Sequence, residues 1–357
     1  MSESVSKRNK QQGAYLLSRH IRSFDFVRFV AVFMIIVFHY YVATPYADRY
    51  TPLWGREAVA MFFIISGAGL INRYYDSIDV REFYIKRAKS IFPAFWLSYF
   101  IMFLWNYVES SFHFASAVPA VNFIFTILGV DGLVTSMGIP TFYIIGEWFL
   151  GVIIILYLIF PLFRKIFIKY PTITLVVTFI LRICLLLYNP FPLLVRFNPI
   201  VALSNFTLGA WLVIQYHNYS VENNIKNTDI IIPHTKLTLF LCFIGIVLGI
   251  TIGVFGGIFE DVGEIFSSAG LFFLLILISQ KINSEFVWRI VDWYSKISFE
   301  MFLFQHVIIV RFIPFVMNNF TKFNLLICLV WIIFVISSMS YAVHGFTMAI
   351  KHSLADN

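Results

Sequence analysis

The chain has 357 residues, of which 60% are hydrophobic and only 13% charged, with a formal net charge of +7. Soluble domains carry roughly 45–50% apolar and about 25% charged residues, so an ordinary soluble fold is excluded and a polytopic membrane protein is expected. The excess of Lys and Arg then reports topology before it reports any partner, and no nucleic acid is expected.

Residues 1–23 form a polar, basic tail. The apolar run that follows is about twenty residues, longer than the ~7–15 of a signal-peptide core, so it is read as a retained membrane anchor. Ten segments reach spanning length, at 24–43, 58–72, 91–107, 143–163, 171–188, 199–215, 237–256, 264–280, 297–316 and 324–350. An eleventh stretch, 117–134, is interrupted by Pro119, Gly129, Asp131 and Gly132. If it does not cross, cytoplasmic loops and tails hold nineteen of the Lys and Arg residues and outer loops hold four, with Arg28, Arg182 and Arg311 inside spans. If it does cross, the tally becomes twelve against eleven. The positive-inside bias selects the first arrangement. The expected fold is therefore all-α, with ten transmembrane helices, both termini cytoplasmic, and 117–134 re-entrant or on the outer face. Residues 24–350 make one membrane domain, and 351–357 a short cytoplasmic tail.

Ionisable residues inside a bilayer are costly and tend to face a polar cavity. Arg28 and His39 are eleven residues apart, which at 100° per residue returns to within about 20° of the same helix face, with ~16 Å between them along the axis. Asp25 lies three residues before Arg28 and can pair with it. Arg28 alone fits a snorkelling side chain. His39 lies deeper, and imidazole is the side chain suited to general base work near neutral pH.

The basic stretch before the third span, REFYIKRAKSIFP, holds Arg81, Lys86, Arg87 and Lys89. It reads either as a topology determinant on anionic lipid or as the mouth of a site for a phosphate-rich donor. The fourth span contains Glu147 near its outer end, the fifth contains Arg182, the ninth contains Glu300, His306 and Arg311, and the tenth His344. Arg182 and His344 are expected to be structural partners of other buried groups. The three cysteines, Cys184, Cys242 and Cys328, have no metal-ligand spacing and are read as small buried hydrophobes, with no metal expected. Buried His, Arg and Glu also suit a proton-coupled exporter of a polysaccharide or lipid-linked sugar, although no paired broken helices occur in corresponding halves.

Several stretches together resemble the membrane acyltransferase-3 family of O-acyltransferases. FDFVRFVAVFMIIVFHYY is similar to its Asp-x-x-Arg followed, after ten intervening residues, by His, VAMFFIISGAGLI to its second span, and FYIKRAKSIFPAFW to its basic signature. GEWFLGVIIILYLIFPLF, NFTLGAW and ISFEMFLFQH follow in family order. Ser90 stands where the family commonly has a second arginine.

The resemblance implies transfer of an acetyl group from acetyl-CoA, as substrate, to a hydroxyl of a surface carbohydrate. It makes His39 the catalytic residue, as general base or as acyl carrier, and Arg28 its companion. Glu147 and His306 are candidates to orient the imidazole or polarise the thioester, and Arg87, Lys86 and Lys89 to hold the donor with Arg28. The setting implied is a bacterial plasma membrane, with lipid, a glycan acceptor and polysaccharide-synthesis machinery as partners.

Overall fold

The computed structural model of the chain describes residues 20–44, 47, 54–111, 117–146, 148–223, 229, 230, 232, 235–316 and 321–353. Helices dominate, and no strand occurs among the described residues. In chain order they are α1 (Arg22–Ala43), α2 (Trp54–Tyr74), α3 (Val80–Glu109), the short α4 (Phe123–Ile127) and α5 (Asp131–Thr135), α6 (Trp148–Lys169), α7 (Pro171–Leu187), α8 (Pro199–Glu222), α9 (Lys236–Gly253), α10 (Ile258–Ser279), α11 (Glu285–Val316) and α12 (Lys322–Ser353). Among the described residues, nine helices are long and apolar enough to cross a membrane. The fifth expected span, 171–188, is α7, which has 17 residues and is shorter than the other long helices. The protein is an all-helical polytopic membrane protein.

Side-chain contacts define two ends of the bundle. At one end Arg22 of α1 pairs with Glu285 and Asp292 of α11, and Arg164 of α6 donates to the carbonyls of Tyr74 and Tyr75 after α2. Arg73, Arg87 and Lys351 belong to this basic end. At the opposite end, the Tyr40 hydroxyl of α1 donates to the Leu325 carbonyl of α12 at 2.7 Å, and Arg56 of α2 pairs with Glu260 and Asp261 of α10.

Local chemistry sets the helix ends. The Asp79 carboxylate accepts from the Glu82 amide at 2.8 Å and starts α3 eleven residues before the apolar segment begins. The basic stretch expected to precede the third span thus forms the first turns of a 30-residue helix, because the cap and its straight-chain residues favour helix well outside the apolar run. Asn198 caps α8 ahead of Pro199, and Thr235 caps α9. Helix α11 likewise begins at Glu285, ahead of the expected 297, and α12 continues to Ser353.

At the centre, α2 and α8 cross with backbones almost touching. Gly67 faces the backbone of Phe206 and Gly209 faces that of Ile64, so a side chain at either position has no room. Small residues are what allow such approach where burial against lipid gives no driving force between helices. At the periphery, α7 and α9 present large apolar side chains outward, among them Ile173, Leu187, Phe240 and Leu241. That face suits hydrocarbon.

The stretch 117–134 does not cross. It forms a turn of 3-10 helix, α4 and α5, with Val121, Phe123, Ile124 and Leu128 exposed. Leu133 packs on Gly151 of α6, and the Trp96 indole of α3 donates to the Ile127 carbonyl at 3.1 Å. Asp131 is buried and accepts from Thr126. The segment folds back against α3 and α6 because its glycines and proline break helix before a span's length is reached.

Candidate active site

Arg28 is tied at the basic end. Its guanidinium donates to the Asp25 carboxylate at 2.7 Å and to the Ser295 hydroxyl at 3.0 Å, while Ser295 itself donates to Asp25 at 2.7 Å. His20 closes the cluster through Nε2, 2.7 Å from Asp25. The carboxylate and hydroxyl partners offset part of the cost of burying the guanidinium. It also faces a cavity of ≈ 390 Å³ that opens at the same end.

That cavity is strongly cationic. Arg28, Arg73, Arg87, Lys296 and Lys351 line it, from five different helices. Arg87 lies 5.7 Å over the Tyr157 ring, and its buried Nε has no hydrogen-bond partner among the described residues. An unpaired buried donor costs free energy until something accepts from it. The phase of α3 decides which of its basic residues take part. Arg87, Ser90, Ile91 and Ala94 share the face toward the cavity. Lys86 and Lys89 stand about 100° and 200° around the helix from Arg87. Lys86 pairs with Glu82 at 2.5 Å, Lys89 is exposed, and neither lines the cavity. Deeper on the same wall Glu300 binds the Nδ1 of His344 at 2.9 Å.

Toward the opposite end, His39 lines a second cavity of ≈ 280 Å³ between α1, α2, α6, α8, α10 and α11. Its walls combine aromatic rings with charge. Trp148 and Phe197 lie 4.6 Å apart between centroids, and Arg56, Arg196, Asn205 and Asp261 face the same space. Beneath them Arg182, fully buried, donates to Glu264 and to the Asp261 carbonyl, and the Asn205 amide donates to Glu264 at 3.2 Å. This network fixes the wall formed by α7, α8 and α10. The imidazole of His306, on α11, lies 5.0 Å from that of His39 between centroids, with the rings inclined by 33°. His306 lines a third cavity of ≈ 380 Å³ with Glu109, Tyr143 and Arg311, and Arg311 pairs with Asn106 and Glu109 of α3. Glu147 falls outside the described residues.

The basic cavity and the His39 cavity share two lining residues, Phe149 of α6 and Phe302 of α11. Their rings meet edge to face at 5.0 Å, and Phe149 is flanked by Phe63 at 4.7 Å and Phe62 at 6.0 Å. Phe302 also lines the His306 cavity.

The structure therefore brings together His39 and His306 at one level, and Arg28 and Arg87 at another. The sequence reading missed Arg73, Lys296 and Lys351 as cavity residues, because each flanks an apolar run, where a basic residue ordinarily reports topology. It also missed the Trp148–Phe197 wall, for which no local signal exists.

A family model described as an acyltransferase domain matches residues 21–343. Neither a curated protein nor a solved structure matches the chain.

Proposed function

The chain belongs to the acyltransferase-3 family and is a membrane acyltransferase, and on that premise we propose that it moves an acetyl group from cytoplasmic acetyl-CoA to a hydroxyl of a cell-surface carbohydrate. The basic end is the cytoplasmic one, following the distribution of Lys and Arg, in the plasma membrane of a bacterium. The observation that carries the reading is the pair of cavities at opposite ends of one bundle, cationic at one end and holding two histidines at the other.

The phosphates of coenzyme A suit the cationic cavity, where Arg87 offers an unpartnered Nε and Arg73, Lys296 and Lys351 add charge around Ser90. Arg can grip a phosphate by two parallel hydrogen bonds, whereas Lys acts as a point charge. Arg28, oriented by Asp25 and Ser295, faces the same space and directs the donor toward α11.

His39, as neutral imidazole, takes the proton from the acceptor hydroxyl. As the O–H bond breaks, the oxygen forms a bond to the acyl carbon and the C–S bond of the thioester breaks. The proton then passes from His39 to the departing thiolate, so the products are the O-acyl ester and free coenzyme A. His306 is placed to polarise the thioester carbonyl or to hold the acceptor, and Glu147 is a candidate for orienting an imidazole. The acceptor lies on the Trp148–Phe197 wall, where aromatic faces stack on sugar rings and Asn205, Asp261 and Arg56 meet hydroxyls. Polysaccharide-synthesis machinery supplies that acceptor.

Membranes with and without the protein, fed radiolabelled acetyl-CoA, test the proposal. Alkali-labile label on extracellular glycan is expected. His39→Ala should lower turnover by about 10²–10⁴-fold while the protein still inserts and is still thermally stabilised by coenzyme A. Acetylation at the wild-type rate by that variant sinks the mechanism.

A further inference from the structure

We infer that Phe302, seated against Phe149, sets the size of the acyl group that the enzyme transfers. The inference rests on the acyl-CoA reading above and concerns the passage between its two halves. Arg28 lies at the basic end of α1 and His39 ~16 Å further along the same helix, so a thioester delivered from the cationic cavity must pass the residues common to both cavities. Those residues are Phe149 and Phe302. Both are buried, Phe149 at 7% and Phe302 at 4% exposure.

Phe302 has a second property that Phe149 lacks. It lines all three cavities, the cationic one, the His39 one and the His306 one. It therefore occupies the junction where acyl carbon, acceptor oxygen and the two imidazoles have to meet. Its ring is held edge to face by Phe149, which is in turn held by Phe63 on α2. A close-packed apolar wall resists extra methylenes, because over-packing forces neighbours off their rotamers. An acetyl group asks for little displacement of this wall. A longer chain has to move Phe302, whose ring is backed by Phe149 and, behind it, Phe63.

In filled apolar pockets one methylene changes specificity by about 10–200-fold. The experiment measures release of free coenzyme A thiol from acetyl-, butyryl- and octanoyl-CoA by membranes carrying the full chain, which detects transfer to any acceptor. Wild type should favour acetyl over butyryl by at least about 10²-fold. Phe302→Ala should bring that ratio below about 10-fold and admit octanoyl. Phe302→Leu, which keeps the wall apolar, should fall between them. Stabilisation by coenzyme A reports that each variant is folded, and if Phe302→Ala fails that check, Phe302→Leu and Phe149→Leu decide. A folded variant with an unchanged acetyl-to-butyryl ratio overturns the assignment while leaving the acyl-CoA reading intact. Wild type that releases no thiol from any of the three, or is not stabilised by coenzyme A, removes the donor reading and the assignment with it.

Discussion

A methyl built on Gly209 would lie 2.7 Å from the carbonyl carbon of Ile64, and one on Gly67 would lie 2.7 Å from that of Phe206. Carbon contacts are comfortable at about 3.5–4.0 Å, so Gly209→Ala must part α2 and α8 by on the order of 1 Å. Over-packing of this kind costs about 1–3 kcal/mol. The same two helices supply Ala60 and Phe63, and Ala202 and Asn205, to the His39 cavity. A displacement of ~1 Å remote from the chemistry is enough to lower turnover by about 10²-fold. Thermal unfolding in detergent and thiol release in membranes should therefore both report the substitution. Adding Gly67→Ala should cost less than it does alone, because the gap is already open. Gly345→Ala on α12 is the control, since its methyl meets nothing within 4 Å, and helix propensity there favours alanine by up to ~1 kcal/mol. Gly209→Ala behaving like wild type in both assays, or Gly345→Ala proving equally damaging, would refute the reasoning.

Other perturbations probe the charged groups. Arg87→Ala removes a charge-assisted contact of about 1.5–3 kcal/mol, so the acyl-CoA concentration for half-maximal rate should rise at least ~10-fold, whereas Lys89→Ala should leave it unchanged; equal effects would place the donor elsewhere. Arg182→Met strands Glu264 as a buried charge and should cost about 3–5 kcal/mol, most of it recovered when Glu264→Gln removes the second charge; a double variant no more stable than Arg182→Met argues against the pairing. Burial holds the Asp229 carboxyl above the usual carboxylate range, partly offset by hydrogen bonds from the Ser23 hydroxyl at 2.8 Å and amide at 3.1 Å. Its folded value is raised, so its contribution is full below the ordinary carboxylate value and is lost as pH rises through the raised one. The thermal midpoint of wild type relative to Asp229→Asn should accordingly improve on acidification, and a gap independent of pH would contradict this.

What the sequence discloses here is what one helix can show by itself. The Arg28–His39 spacing, the failure of 117–134 to cross and the intramembrane charges follow from periodicity, the distribution of Lys and Arg and the cost of burying charge. The partners of those charges do not, since Arg182 meets Glu264, and Glu300 meets His344, only when separate helices pack. The basic stretch illustrates a middle case. Its charges are visible, but which of them face inward depends on a helix starting at Asp79, and that phase turns Arg87 and Ser90 toward the cavity and Lys89 away. The Phe149–Phe302 contact was hidden for a further reason: with 42 phenylalanines in the chain, no single one carries a signal.

The brevity of α7 has a consequence for the surrounding lipid. Seventeen residues cover about 26 Å, against a hydrocarbon thickness of roughly 30 Å. Hydrophobic mismatch of this kind is relieved by thinning the bilayer beside the helix. A crossing α7 therefore draws headgroups inward along its exposed apolar face, behind the wall that the buried Arg182 braces. On the proposed function, the acceptor then has a shorter distance to travel into the protein than a uniformly thick membrane would impose.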